Sequence, residues 1–395
     1  MRENALGVRS NGMLTATMKS RRIFWSLVCA LVLASNVWSM SHWNEARGVY
    51  DDVCYLRQAH LFQRFGLSGF DTDIARDDDR YLVSKLKEIG YPGWNDPAQA
   101  PCHTPMPVAN KMVVQYPPGT GVLLALFPAG HQVIPLYVTA TFAVFGFALL
   151  AIALARTPRS VAFAGLFGCL AVYLMINPAK ASYSIAPTMI VCAAAGTLTA
   201  RWLTGPRHNV ALIALIGLLL GLAVNFRLPN LFLVSGYGLF LLATFLMNRT
   251  HKSLVEGLSF GAAVLLGMAP TLFANAINAG SPLATTYSGA DAVAPGFSLA
   301  IIKEYLADMQ FVLLVLALGA TAYMLRPGGD STRGVGWVVG ANLVVNLAFF
   351  MSHPVFTPYY TIPIAMLSLW TLLFAYLLPP EEVVDDTPLA QARSA

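Results

Sequence analysis

The feature that most restricts this chain is a series of apolar stretches at or near the length of a bilayer crossing. They cover residues 23–40, 133–155, 161–176, 186–203, 209–226, 230–247, 254–276, 309–325, 335–351 and 358–378, ten in all. A hydrocarbon core of roughly 30 Å takes about 20 residues of helix to cross. No water is available there to backbone groups, so helices, which satisfy their own, are the expected solution. Charge is sparse to match: 11% of the residues are charged and 56% hydrophobic, against roughly 25% charged in soluble domains. Mean hydropathy is +0.59. The expected fold is an all-α integral membrane protein of about ten transmembrane helices.

The loops between these stretches alternate in charge. Arg2, Arg9, Lys19, Arg21 and Arg22 precede the first stretch. Arg156 and Arg159 follow the second, Arg201 and Arg207 the fourth, Arg249 and Lys252 the sixth, and Arg326 and Arg333 the eighth. Short basic loops stay cytoplasmic. The expected layout is a cytoplasmic tail over 1–22, a polytopic unit over 23–378 and a disordered cytoplasmic tail over 379–395. The run 23–40 ends in Trp38, Ser39 and Met40, without a small-x-small cleavage signature, so it reads as an uncleaved first span. Residues 116–130, YPPGTGVLLALFPAG, hold too few apolar residues after the prolines to cross. A crossing there would also turn every later basic loop outward. An interfacial helix within a large first outer loop, 41–132, is expected instead. The expected location is a bacterial inner membrane, taken from the compact size and the absence of a retention signal, as a multi-pass protein with both termini cytoplasmic; an endoplasmic reticulum location would place the site in the lumen. The lipid bilayer is thus one partner. Nucleic acid is not expected, because the net charge of +5 is scattered without a Lys/Arg block. A Gly-x-x-x-x-Gly-Lys loop is absent, so ATP-driven chemistry has no support.

The first outer loop holds the densest charge. Residues 49–65 are expected to be helical, with Cys54, Tyr55, Leu61, Phe62 and Phe65 on one side and Arg57, His60 and Arg64 on the other. Asp51 and Asp52 open this helix, where the positive helix end favours carboxylates. Local physics alone makes them a cap. The run DTDIARDDDR, 71–80, lacks the glycine and terminal Glu of a calcium loop and reads as a solvated turn. His103 has no second ligand at a recognised spacing. Cys29, Cys169 and Cys192 lie in apolar runs. Cys54 and Cys102 lie in the polar loop and become candidates for a disulfide if it faces outward. The sequence leaves that pairing open, because it does not fix their separation.

Single polar residues stand at the outer ends of later spans: Lys180, Arg227, Lys303 with Glu304, and His353 with Tyr359 and Tyr360. Each has a bland reading, in which it reaches to lipid headgroups. Together they make a candidate site. Arg227 and Lys180 are the residues expected to hold a lipid phosphate beside Asp51 and Asp52.

The order of these features resembles the GT-C superfamily of polytopic glycosyltransferases, in particular bacterial relatives of protein O-mannosyltransferases and aminoarabinose transferases. The likeness runs from Arg21 to about Leu378. It rests on Tyr50-Asp51-Asp52 after the first span and on Tyr116-Pro117-Pro118-Gly119 before an apolar helix. It continues with Asn177-Pro178 near Tyr183-Ser184, GLAVNFRLPNLFL over 221–233, NAGSPLATTYSG over 278–289 and PYYTIPIAMLSL from Pro358. The resemblance implies a polyprenyl-phosphate sugar donor, transfer on the outer face and a first-loop carboxylate as general base, carried over to Asp51 or Asp52. This chain has Asp-Asp where many members have Asp-Glu. Tyr55, Arg57, Tyr116, Tyr183, Tyr287, Lys303, His353 and Tyr359 are further candidates for substrate contact. The acceptor is a lipid, glycan or protein. No cofactor is required by the sequence, and a divalent cation remains an option. The rival readings are a transporter or flippase of a lipid-linked sugar and a non-catalytic membrane scaffold.

Overall fold

A computed structural model describes residues 3–44, 52–96, 99–176, 182–205, 209–287, 294–326, 330–353 and 356–378. Among these, fifteen α-helices and one two-stranded sheet form. The first helix, α1 (Glu3–Met40), is followed by a compact loop segment. That segment contains α2 (Asp52–Phe65), α3 (Tyr81–Glu88), strands β1 (His103–Met106) and β2 (Lys111–Val114), and α4 (Gly119–Ala125). Then come α5 (Val133–Leu154), α6 (Pro158–Tyr173), α7 (Ile185–Thr204), α8 (Val210–Phe226) and α9 (Ser235–Asn248). The chain continues with α10 (His251–Gly267), α11 (Ala269–Ala279), α12 (Leu299–Ala307), α13 (Phe311–Met324), α14 (Asp330–Ser352) and α15 (Ile362–Leu377).

Among the described residues, four helices are long and apolar enough to cross a bilayer by themselves: Thr17–Met40, Val133–Leu154, Leu228–Asn248 and Thr332–Ser352. Two bent pairs bring the number to six, α10 with α11 at 52° and α12 with α13 at 88°. Fewer single helices therefore reach spanning length than the ten apolar stretches suggest. The reason is local. Pro270 at the start of α11 cannot donate to the preceding turn, so the stretch 254–276 breaks. The helices α6, α8 and α15 have 16, 17 and 16 residues, about 24–26 Å at 1.5 Å per residue. The segment after Tyr116 forms only the seven-residue α4.

The fold is not purely helical. β1 and β2 pair antiparallel, with His103 opposite Val114 and Met106 opposite Lys111. Pro105 and Pro107 keep this stretch out of helix, and Asn110 takes the left-handed conformation that the turn needs (φ 51°).

The middle of the bundle is α7, which packs on α15, α8, α5 and α14. Its small residues permit this, since a Cβ on Gly196 would sit 2.8 Å from the Cβ of Trp370. A close helix crossing joins α8 to α10. A Cβ on Gly221 would lie 2.2 Å from the Val264 carbonyl oxygen, and one on Gly267 would lie 2.3 Å from that of Leu218. Outside the bundle, the loop segment has its own small core of Val53, Cys54, Leu82, Leu86, Ala100, Cys102 and Val114.

Candidate functional site

Three breaks in helical structure bring the candidate residues together at one end of the bundle. The first is the start of α2. Asp52 occupies its first turn and is 1% exposed. The hydroxyl of Ser182 donates to Asp52 Oδ1 at 2.8 Å, and the Tyr183 N–H donates to the same oxygen at 3.2 Å. Asp52 is therefore buried against the segment that leads into α7, not a solvent-facing cap. Asp51 and Lys180 both lie outside the described residues.

The second break is the end of α8. Pro229 at the start of the 3-10 turn Leu228–Val234 stops the helix, and Arg227 is left extended (φ −161°) at its cap. The Asn230 side chain donates to the Ala223 carbonyl at 2.8 Å and to Thr188 Oγ1 at 3.0 Å, fixing this turn against α7. Arg227 is 8% exposed. Its guanidinium lies 4.8 Å from the Tyr359 ring and 4.2 Å from the Tyr360 ring. Among the described residues it takes part in no salt bridge, and tyrosines are its main electrostatic neighbours: Tyr360, Tyr359, Tyr55 and Tyr287. The third break, Pro358–Tyr360 before α15, supplies two of these rings.

Tyr55, one turn after Asp52, connects the carboxylate to the cation. It lies beside Ser184 and Ser182 and feels both Arg227 and Asp52. Burial pushes its hydroxyl well above the ordinary tyrosine range, with Ser184 and then Arg227 opposing the shift. The Tyr116 ring stacks on Tyr55 at 5.0 Å, and Tyr287 tilts against Tyr116 at 6.0 Å. Thr286 holds the Tyr287 segment here by donating to the Gln115 carbonyl at 2.8 Å. His353 lies 6.2 Å from Tyr360 at the rim. Asp52, Tyr55, Tyr116, Tyr183, Arg227, Tyr287 and Tyr359, with His353 beside them, thus converge.

Two candidates belong elsewhere. Lys303 is exposed on α12, whereas Tyr305, two residues on, is buried and contributes to the electrostatics around Arg227 and Tyr360. Arg57 is wholly buried in the loop segment and is not presented to the site. It donates to the carbonyls of Thr72 and Asp73 at 2.7 Å each, contacts His103 Nε2 at 3.3 Å and lies 3.9 Å from Asp77. Helical periodicity put it on the polar face, and that face is covered by the 71–80 run. This run is accordingly more than a solvated turn. Asp79 meets His60 at 2.6 Å, Asp78 pairs with Arg64, and Asp71 meets Lys111 at 3.0 Å.

Cys54 and Cys102 form a disulfide, Cα atoms 6.6 Å apart. Their sulfurs and His103 lie within 4.8 Å of one another, the one metal-sized cluster among the described residues. A metal would need thiolates, and here the sulfurs are bonded to each other. His103 Nδ1 is 2.8 Å from the Pro101 carbonyl. Burial and then neighbouring Arg57 push the imidazole down to about 3, so it is neutral at physiological pH.

Sequence reasoning missed the role of Ser182 and Tyr305. The signal for Ser182 was its place in ASYS, two hydroxyls flanking Tyr183 just before an apolar helix. Tyr305 carried no signal beyond its closeness to Lys303 and Glu304. Comparison with protein-family models, curated proteins and solved structures finds no match to this chain.

Proposed function

We propose that this protein is a membrane glycosyltransferase. It moves a sugar from a polyprenyl-phosphate donor to a lipid, glycan or protein acceptor on the outer face of a bacterial inner membrane. The observation that carries this reading is Arg227: a buried guanidinium, ringed by tyrosines, with no ion-pair partner among the described residues and a buried carboxylate one tyrosine away. A buried charge is strongly unfavourable until an anion meets it, and a guanidinium matches phosphate with two parallel hydrogen bonds. Asp52 takes the acceptor hydroxyl's proton as the sugar bond forms. Ser182 and the Tyr183 N–H hold the carboxylate in place. Arg227 stabilises the charge that develops on the departing phosphate. Tyr116 and Tyr287 offer flat apolar faces beside that position.

In this reading the shorter apolar helices also cross, giving about ten crossings with both termini cytoplasmic and the 41–132 segment outside. Asp51 and Lys180 keep their proposed parts as second carboxylate and second phosphate ligand. Comparing envelope glycans in wild type, a deletion strain and the deletion rescued with Asp51→Asn/Asp52→Asn tests the proposal. One glycan lacking a sugar in both altered strains, with the variant present in the membrane, supports it. Full rescue by the double variant refutes the base assignment.

One observation favours transport of a lipid-linked sugar instead, the two broken helix pairs, because broken helices line the substrate sites of many transporters. Here Pro270 accounts for the first break. At the second, Asp308 Oδ1 accepts a hydrogen bond from the Gln310 N–H at 2.8 Å and fixes the turn between α12 and α13. Loss of lipid-linked sugar movement between leaflets, with transfer intact, would mark the transporter.

A further inference from the structure

At the opposite end of the bundle from Asp52, a groove of about 300 Å³ runs between α1 and α5. Its walls are apolar, from Ile23, Leu27, Leu149 and Ile152, and one end carries Arg22 and Ser26. Arg22 is half-buried. Its Nη2 donates to the Ala155 carbonyl at 2.6 Å, at the end of α5, while its Nε is buried without a partner. The guanidinium is thus anchored on one side and unsatisfied on the other. Lys19 and Arg21 adjoin it in sequence on α1, and Arg156 and Arg159 follow Ala155, all four exposed. Neither 4–44 nor 97–255 contains a single Asp or Glu, so no carboxylate in the two segments that build the groove balances these five cations. Beyond the groove, Ile23, Leu27 and Leu31 are 51%, 61% and 70% exposed, an apolar face continuous with its walls.

We propose that this groove binds an anionic phospholipid, its phosphate on Arg22 and Ser26 and an acyl chain along Leu27 and Leu149. The amphipathic shape of the groove matches that ligand: one donor-rich end, then apolar walls at the spacing of helix turns. Basic pockets between helices on the cytoplasmic side are suited to anionic headgroups. An orphaned guanidinium N–H gains a charged acceptor there. The inference needs only that the chain lies in a membrane. It stands or falls independently of glycosyl transfer.

The test uses the full chain in nanodiscs of phosphatidylcholine with a minor fraction of spin-labelled phosphatidylglycerol, against spin-labelled phosphatidylcholine. The immobilised fraction of each label is read with and without millimolar inorganic phosphate. Wild type should hold the anionic lipid preferentially, and Arg22→Gln should lower that preference about five-fold, the ~1 kcal/mol that one basic side chain near an anionic surface contributes. Leu149→Trp, which fills the groove and leaves all charges in place, should lower it as well. Inorganic phosphate should leave the preference unchanged. Equal preference in wild type and Arg22→Gln, both with unchanged melting, overturns the proposal. So does a loss in Arg22→Gln with none in Leu149→Trp, since diffuse charge then suffices. Displacement of the lipid by phosphate would identify a free-anion site instead.

Discussion

Asn225 joins the candidate site to the bent α10–α11 pair, and its removal has a calculable effect. The side chain is 1% exposed. Its Oδ1 accepts from Thr271 N at 2.9 Å and Thr271 Oγ1 at 2.7 Å, and its Nδ2 donates to the Gly267 carbonyl at 2.7 Å. Gly267 and Thr271 flank the break that Pro270 creates. Asn225→Leu keeps the γ-branched shape, puts methyl groups in place of the amide O and N, and deletes these three interhelical bonds together with a local one to the Leu222 carbonyl at 3.2 Å. Thr271 N also reaches the Met268 carbonyl at 2.9 Å and is not stranded. The Gly267 carbonyl and the Thr271 hydroxyl are. Two stranded buried groups at roughly 1–2 kcal/mol each give a loss of about 2–4 kcal/mol. Interhelical bonds in bilayers average nearer ~0.6 kcal/mol, which places three of them at the low end of the same range. Unfolding free energy measured by steric trapping in bicelles reads this directly. Thr271→Val and the double variant complete a cycle whose coupling should be about 1 kcal/mol. Arg227 follows Asn225 by two residues, so phosphate-dependent activity should fall along with stability. Asn225→Leu within about 0.5 kcal/mol of wild type would refute the reasoning, showing that the break holds without its amide clamp.

Three further expectations follow from the packing and the loop core. Gly221→Ala should destabilise by at least ~2 kcal/mol by thermal unfolding, because its Cβ would overlap the Val264 carbonyl at 2.2 Å, whereas Gly261→Ala on α10, where a Cβ meets open space, should be neutral or better. Reducing the Cys54–Cys102 bond reopens a loop with a sequence separation of 48, and about 4 kcal/mol of chain entropy is at stake; limited proteolysis should then cut the 66–100 region first while the bundle stays intact. His103 is held neutral down to about pH 3 when folded and protonates near 6.5 when unfolded. Below pH 6.5 the unfolded state therefore binds the extra proton, and stability falls as pH drops towards 3, by up to about 1.4 kcal/mol per unit. A His103→Gln chain should show a shallower loss over that window in unfolding measured against pH.

The sequence made a mostly helical fold with helices apolar enough to cross a membrane legible, because apolar runs and sparse charge leave few other solutions. The convergence of Asp52, Tyr55, Arg227 and Tyr359 was legible only as co-location on one side, since Arg227 and Tyr359 stand at the ends of apolar runs and Asp52 and Tyr55 in the first loop that the same charge pattern assigns to that side. Arg57 shows where such reading stops. Periodicity assigns a residue to a face but does not say what covers it, and the 71–80 run buries that guanidinium under backbone carbonyls. The β1–β2 pair is too short for its four-residue strands to stand out against proline-rich loop. The helix break at Pro270 was hidden inside the stretch 254–276 because hydropathy is blind to a bend that keeps its apolar composition, whereas the one at 308–310 coincides with the start of the stretch 309–325.

The central claim is that Asp52 and Arg227 serve one transfer reaction. The most direct measurement is label transfer by the purified chain in nanodiscs from a panel of polyprenyl-phosphate sugars, with donor binding read in parallel. Wild type should transfer from at least one donor. Asp52→Asn should bind that donor normally and transfer about 10²–10⁴-fold more slowly, while Arg227→Gln should lose donor binding. Transfer at the wild-type rate by Asp52→Asn, from the same donor and at the same occupancy, would contradict the account.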